Sequence, residues 1–283
     1  MKRGAFLLAL LCAISIIGAG ATVVRITNIT AGSSAVDIEA FSGIVQWVED
    51  YINASGQLDE EIELEFVASD SYEAVILAMK YGDVQIARFG PESYTIAHEQ
   101  AGAVPIAREI RTNTGLPHYF GIIITRNDSD IWGLCACQDW SGYKLGFVTE
   151  TSTSGYKVPM AVFRAIGMSP EDFEEVYYAG SHEAVIVATL NGHVDVGCTT
   201  YNRYDEALAA GLFKLNDLRV IYTSDAIPSS LIARAGDFDL IPHDLLVEAF
   251  EAVPEDVALA YNVLGFSETE DRDYDPIRAL DAE

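Results

Sequence analysis

Apolar residues recur along this chain at two spacings. The run "VVRIT" is short and β-rich, and "IELEFV", Ile62 to Val67, alternates strictly between apolar and polar, the period of a strand with one buried face. Between them, after the polar turn "NITAGSSAVD", the segment "IEAFSGIVQWVEDYI" sets Phe41, Ile44, Trp47, Val48 and Ile52 at helical spacing. Ser69 and Asp70 can cap a second helix carrying Tyr72, Val75, Ile76 and Met79, which Gly82 closes before "DVQIARFG" resumes as a strand. Strand, helix, strand, helix, strand builds a mixed, mostly parallel sheet with helices on its faces.

The alternation then repeats. "YFGIIITRN" and "YKLGFV" read as strands, "VPMAVFRAIG" as a helix ended by Gly167, and "FEEVYYA" as a strand. "SHEAVIVATLNG" reads as a helix stopped by Asn-Gly, "HVDVGCT" and "RVIYTS" as strands, and "HDLLVEAFEAV" as a helix. Two α/β units result, with the apolar strands "GIIIT" and "RVIYT" flanking the second. If those strands cross between the units, the chain forms two lobes on two hinge segments. The expected division is 22–122 for the first part of lobe 1, 123–218 for lobe 2, and 219–283 for the return to lobe 1. The segment "SETEDRDYDP" reads as a solvated charged tail.

The first residues change the setting. Lys2 and Arg3 precede an apolar run from Ala5 to Ile17, and Ala19-Gly20-Ala21 supplies small residues at a cleavage-like spacing. This is the pattern of a secretory signal peptide, 1–21, and it predicts an exported protein. Leu10 and Leu11 are not the small residues expected before a lipid-modified cysteine, so Cys12 does not read as a lipoprotein site. An uncleaved signal segment acting as an anchor is the alternative. About 260 residues remain, room for one large domain or two of about 100 to 150 residues.

A formal net charge of −26 argues against nucleic acid and anionic membrane surfaces as partners. Beyond the signal segment the cysteines are Cys135, Cys137 and Cys198, an odd number that does not read as a disulfide framework. They are expected as plain buried or half-buried thiols, with a disulfide from one of the pair to Cys198 as the alternative. The five histidines are scattered, so no metal site is expected.

One turn carries candidate chemistry. In "TSTSGYKVP" the hydroxyls of Ser152, Thr153 and Ser154 sit between the strand "YKLGFV" and a helix. A helix start exposes unpaired N–H groups and partial positive charge, and hydroxyls add donors there, which makes an anion site. Taken alone the motif reads first as ordinary helix capping. It also holds a conflict: in a helix starting at Ser154, Pro159 would lie past the first turn without an N–H to donate. Either the turn at Gly155 is loose or the regular helix begins nearer Pro159. In "GSHEAVI", Ser181 can cap a helix and place His182 in its first turn, on the sheet edge where helix starts and strand ends gather ligands.

Together these segments resemble the periplasmic binding proteins of phosphonate, phosphite and phosphate ABC importers. The matching pieces are "SDSYEAVILAMKYGDVQIARFGPESY", "HYFGIIITRNDSDI", "TSTSGYKVP", "GSHEAVIVATLNGHVDVG" and "LRVIYTSDAIPSSLIAR". The resemblance implies the two-lobed α/β type II solute-binding fold with two crossover strands. It implies that Ser152, Thr153, Ser154 and His182 hold a phosphorus oxyanion and that Tyr72 and Tyr119 close on it. For Tyr94 two readings stand, a further tyrosine of this kind or a core aromatic that needs no ligand. Where members taking 2-aminoethylphosphonate carry carboxylates for the ammonium group, this chain has Asn202 and Ser229 or Ser230. A buried ammonium without a counter-charge is costly, so phosphate, phosphite or a phosphonate without an amine is expected.

The implied function is reversible capture by hinge closure and delivery to an ABC importer permease, by a monomer that is not an enzyme and needs no cofactor. Lys157 and Arg88 would pair directly with the anion only if affinity fell steeply with salt. A sensory ligand-binding module is the alternative reading. A hydrolase built on Ser154 and His182 ranks behind it, because no carboxylate partner can be assigned.

Overall fold

The computed structural model describes residues 21–29 and 35–280. The signal-peptide reading falls almost wholly outside them, as does Cys12. Among the described residues no helix is long and apolar enough to cross a membrane.

The chain opens with β1 (Thr22–Ile29), α1 (Ala35–Ala54), β2 (Ile62–Ser69), α2 (Tyr72–Lys80), β3 (Ile86–Phe89), α3 (Pro91–Ala101) and β4 (Val104–Arg111). A second unit follows with β5 (His118–Arg126), β6 (Lys144–Phe147), α4 (Val158–Ala165), β7 (Glu175–Tyr178), α5 (His182–Leu190), β8 (Val196–Thr200), α6 (Tyr201–Ala209) and β9 (Leu218–Pro228). Then β10 (Leu231–Arg234), α7 (His243–Glu251), α8 (Glu255–Ala260), β11 (Val263–Glu268) and α9 (Asp275–Ala279) complete it.

The strands form two sheets, ordered β11-β4-β10-β3-β1-β2 and β7-β6-β8-β5-β9. Each is mixed, as the alternation of strands and helices predicts, but less parallel than expected. β1 runs parallel to β2 and β3, and β6 to β7 and β8, with a helix between successive strands of each set. β10 is antiparallel to β3 and β4, β11 to β4, and β5 to β8 and β9. The cause is connectivity: β5 enters the second sheet and β9 leaves it without a crossover helix, so both run against their neighbours. The chain passes between sheets twice, through 112–117 and 229–230, and the two passages touch where the Ser229 N–H donates to the Pro117 carbonyl at 3.0 Å.

Packing follows the predicted faces. On α1, Phe41, Ile44, Val48 and Ile52 are buried against β1, β2 and α7, and "IELEFV" buries Ile62 and Leu64 while exposing Glu63 and Glu65. The tail departs from the solvated reading. Tyr274 is fully buried, its ring 4.9 Å from that of Tyr94, and Ile277 and Thr269 are buried with it. The acidic residues there serve this packing: Asp271 accepts from the Tyr94 hydroxyl at 2.7 Å. Tyr94 is therefore a core aromatic, the second of its two readings.

Cys198 meets the first expectation, whereas Cys135 and Cys137 meet neither. Cys135 and Cys137 are joined to each other by a disulfide, and Cys198 is a buried free thiol on β8. Strand β8 lies between β6 and β5, which keeps Cys198 inside the second core and away from the exposed loop that carries the pair.

Candidate functional site

The hydroxyl turn settles its own conflict. Residues Thr153–Lys157 form a π-helical turn, in which the Lys157 N–H donates to the Ser152 carbonyl at 3.0 Å, and α4 begins only at Val158. Pro159 thus falls in the first turn of α4, where a missing N–H breaks nothing. The wide turn folds back on the strand end, with the Val148 N–H donating to the Gly155 carbonyl at 3.2 Å. Gly155 is required there: a Cβ would lie 2.3 Å from Val148 Cγ2.

All three hydroxyls are buried. Ser152 Oγ accepts from the Gly155 N–H at 3.2 Å, and Thr153 Oγ1 accepts from the Glu92 N–H at 2.8 Å. Accepting uses a lone pair and leaves the hydroxyl proton to be donated. Two phenols from other elements close on the turn. Tyr72, the first residue of α2 behind the Ser71 cap, faces Ser152, and Tyr119 on β5 faces Ser154 and Thr153. Burial raises both phenols, that of Tyr119 to about 12, so each stays protonated.

His182 opens α5 behind its Ser181 cap. Its Nδ1 lies 3.2 Å from Thr199 Oγ1. Burial, with Arg203 adding repulsion, lowers the imidazole to about 3, so it is neutral at ordinary pH. Asn202, the second residue of α6, is buried; with its amide oxygen turned to Arg111 it accepts from Nη2 at 2.7 Å and Nε at 2.9 Å.

Tyr72, Tyr119, Ser152, Thr153, Ser154, His182 and Asn202 all line one cavity of about 910 Å³ between the two units, and Ser230 lines it with them. Ser229 is buried in the core side of the same passage. Lys157 lies behind the turn, its Nζ 2.9 Å from Glu92 Oε1.

Charge is where sequence reasoning fell short. Arg88, Arg111 and Arg203 line the cavity, so its walls are not made of neutral donors alone. Carboxylates also line it: Asp37 on α1, Glu183 on α5 and Glu206 on α6. Arg203 Nη1 donates to Glu206 Oε2 at 2.7 Å and lies 4.0 Å from Asp37 Oδ2. Glu206 stands one helical turn after Asn202, a spacing that could have signalled it. Asp37 carried no such signal.

The phosphonate ABC transporter periplasmic substrate-binding protein profile matches residues 41–274. The chain is 29% identical over 180 residues to the phosphate-import protein PhnD of Mycolicibacterium smegmatis, covering 60% of this chain and 56% of that protein. It is also 29% identical over 222 residues to the phosphonates-binding periplasmic protein of Escherichia coli, covering 76% and 65%. The matches thus span less than two thirds of either relative. Its fold is that of PhnD1 from Prochlorococcus marinus, solved in complex with methylphosphonate, with a TM-score of 0.80, 16% identity, and coverage of 92% and 97%. A profile that accounts for most of the chain, over a fold of the same kind, places the protein: it belongs to the family of periplasmic substrate-binding proteins of phosphonate ABC transporters.

Proposed function

We propose that this protein captures a phosphorus oxyanion, a phosphonate, phosphite or phosphate, outside the cytoplasm and delivers it to an ABC importer permease. The observation that carries the reading is the convergence of Ser152, Thr153, Ser154 and neutral His182 from the second unit with Tyr72 from the first in one cavity. These are donors placed at helix starts, where backbone N–H groups and the helix dipole favour an anion. Lobe closure about the passages 112–117 and 229–230 brings the Tyr72 side over the ligand.

The same geometry speaks against a hydrolase. His182 Nδ1 faces the Thr199 hydroxyl rather than a carboxylate, and the imidazole is too weak a base to activate Ser154. The signal-peptide pattern supports export, with an uncleaved anchor as the other outcome.

Calorimetric titration with phosphate, phosphite and methylphosphonate tests the reading. At least one should bind, and the Ser152→Ala, Ser154→Ala double variant should lose that binding without either form turning over a phosphate ester. Normal oxyanion binding by the double variant would overturn the site.

A further inference from the structure

One wall of the cavity presents donors and a surplus of positive charge. Glu109 on β4 is fully buried behind it and accepts from Arg88 Nε at 2.5 Å and Nη2 at 3.1 Å, and from Arg111 Nη1 at 2.5 Å. One carboxylate against two guanidiniums leaves this group formally at +1. The bonds of Arg88 to Glu109 leave its Nη1 for other partners, and Arg88 lines the cavity. Arg111 spends Nη2 and Nε on the Asn202 oxygen, so the Asn202 NH₂ group, 3.5 Å from the Asn113 side-chain amide, is what remains to donate. A corner of this kind repels an ammonium group and suits an oxyanion, because charge-assisted bonds from fixed guanidiniums are strong.

We propose that the ligand carries a second oxyanion on its phosphorus substituent, a carboxylate a short carbon chain away, and that Arg88, Arg111 and Asn202 form its subsite. This rests on the phosphorus-oxyanion reading above and names the class of ligand within it: a phosphonocarboxylate. The cavity, at about 910 Å³, lies in the range that encloses a drug-sized molecule and exceeds what a single phosphorus tetrahedron fills.

The cavity's own carboxylates do not reverse the sign at this corner. Glu206 is occupied at both oxygens, by Arg203 and by Asn262 Nδ2 at 2.5 Å, Asp37 faces Arg203, and Glu183 stands on α5 next to His182 rather than on the strands that carry Arg88 and Arg111. Among the groups that surround the hydroxyl turn, Tyr72 feels Arg88 and Arg203, Tyr119 feels Arg111, and His182 feels Arg203.

The test is calorimetric titration of the purified protein with methylphosphonate, phosphonoacetate and 2-aminoethylphosphonate at one salt concentration. Phosphonoacetate should bind at least about tenfold tighter than methylphosphonate, as one charge-assisted hydrogen bond to a fixed cation provides, and 2-aminoethylphosphonate should bind most weakly. The Asn202→Asp variant keeps an acceptor toward Arg111 but removes the NH₂ donor and cancels the surplus charge. It should lower the ratio of phosphonoacetate to methylphosphonate affinity by about tenfold. Methylphosphonate or 2-aminoethylphosphonate binding as tightly as phosphonoacetate overturns the subsite while leaving the oxyanion reading intact. An unchanged ratio in the variant does the same. Failure of phosphate, phosphite and all three phosphonates to bind overturns both.

Discussion

Glu92 and Lys157 form a buried ion pair between the two units, Oε1 to Nζ at 2.9 Å, which ties the start of α3 to the π-helical turn. The Glu92 N–H donates to Thr153 Oγ1 beside it, so one residue of the first unit holds both the Lys157 side chain and a hydroxyl of the proposed oxyanion turn. Removing one partner of a buried pair leaves a desolvated charge, whereas removing both does not. Lys157→Met should therefore lower the unfolding free energy by about 3 kcal/mol, and Glu92→Gln with Lys157→Met by clearly less. Urea unfolding of the parent protein and the two variants checks this; a loss in the double variant equal to or larger than that of Lys157→Met would contradict it.

Gly155→Ala should damage stability and binding together. The added Cβ meets Val148 Cγ2 at 2.3 Å, Val148 Cβ at 2.6 Å and Ser152 Oγ at 2.8 Å. Overpacking of this kind costs about 1–3 kcal/mol, and a displaced hydroxyl turn should weaken oxyanion binding by about tenfold or more. Thermal unfolding and calorimetry read the two effects. Unaltered binding would detach the turn from the ligand.

The His182 imidazole should not titrate between pH 8 and pH 5. Its folded value, lowered to about 3 by burial, lies below the ordinary value near 6.5. Between those two values the unfolded chain binds a proton that the folded chain refuses. Stability from this residue is therefore complete above about pH 6.5 and is lost as pH falls toward 3. Nitrogen-15 NMR of the imidazole measures it directly, and a midpoint near 6.5 would show an open, solvated ring.

The Cys135–Cys137 disulfide should contribute little. Only Ala136 separates the cysteines, and so short a loop removes little unfolded-state entropy, about 1.5 kcal/mol at most. The loop does not line the cavity, so Cys135→Ser with Cys137→Ser should leave ligand affinity unaltered. Denaturant unfolding with and without reductant tests the first statement, and titration tests the second.

Hydrophobic period alone determined most of this fold. Phe41, Ile44, Val48 and Ile52 are buried at their helical spacing, and Ile62 and Leu64 at their alternate positions, because a secondary element's apolar face is written into neighbouring residues. The hydroxyl turn and His182 were legible for a similar reason, since helix starts after strands are marked by local cap residues. The tail was misread because Tyr274 finds Tyr94, 180 positions away in sequence, and no local pattern records that contact. The charges of the cavity were hidden in the same way. Arg88 and Glu109 meet because β10 pairs antiparallel with both β3 and β4, and Arg111 meets Asn202 because α6 of the second unit reaches the end of β4 in the first. Local sequence determined which residues face the cavity's floor; the sign of its wall was decided by tertiary structure, because electrostatic interactions depend on distances in space.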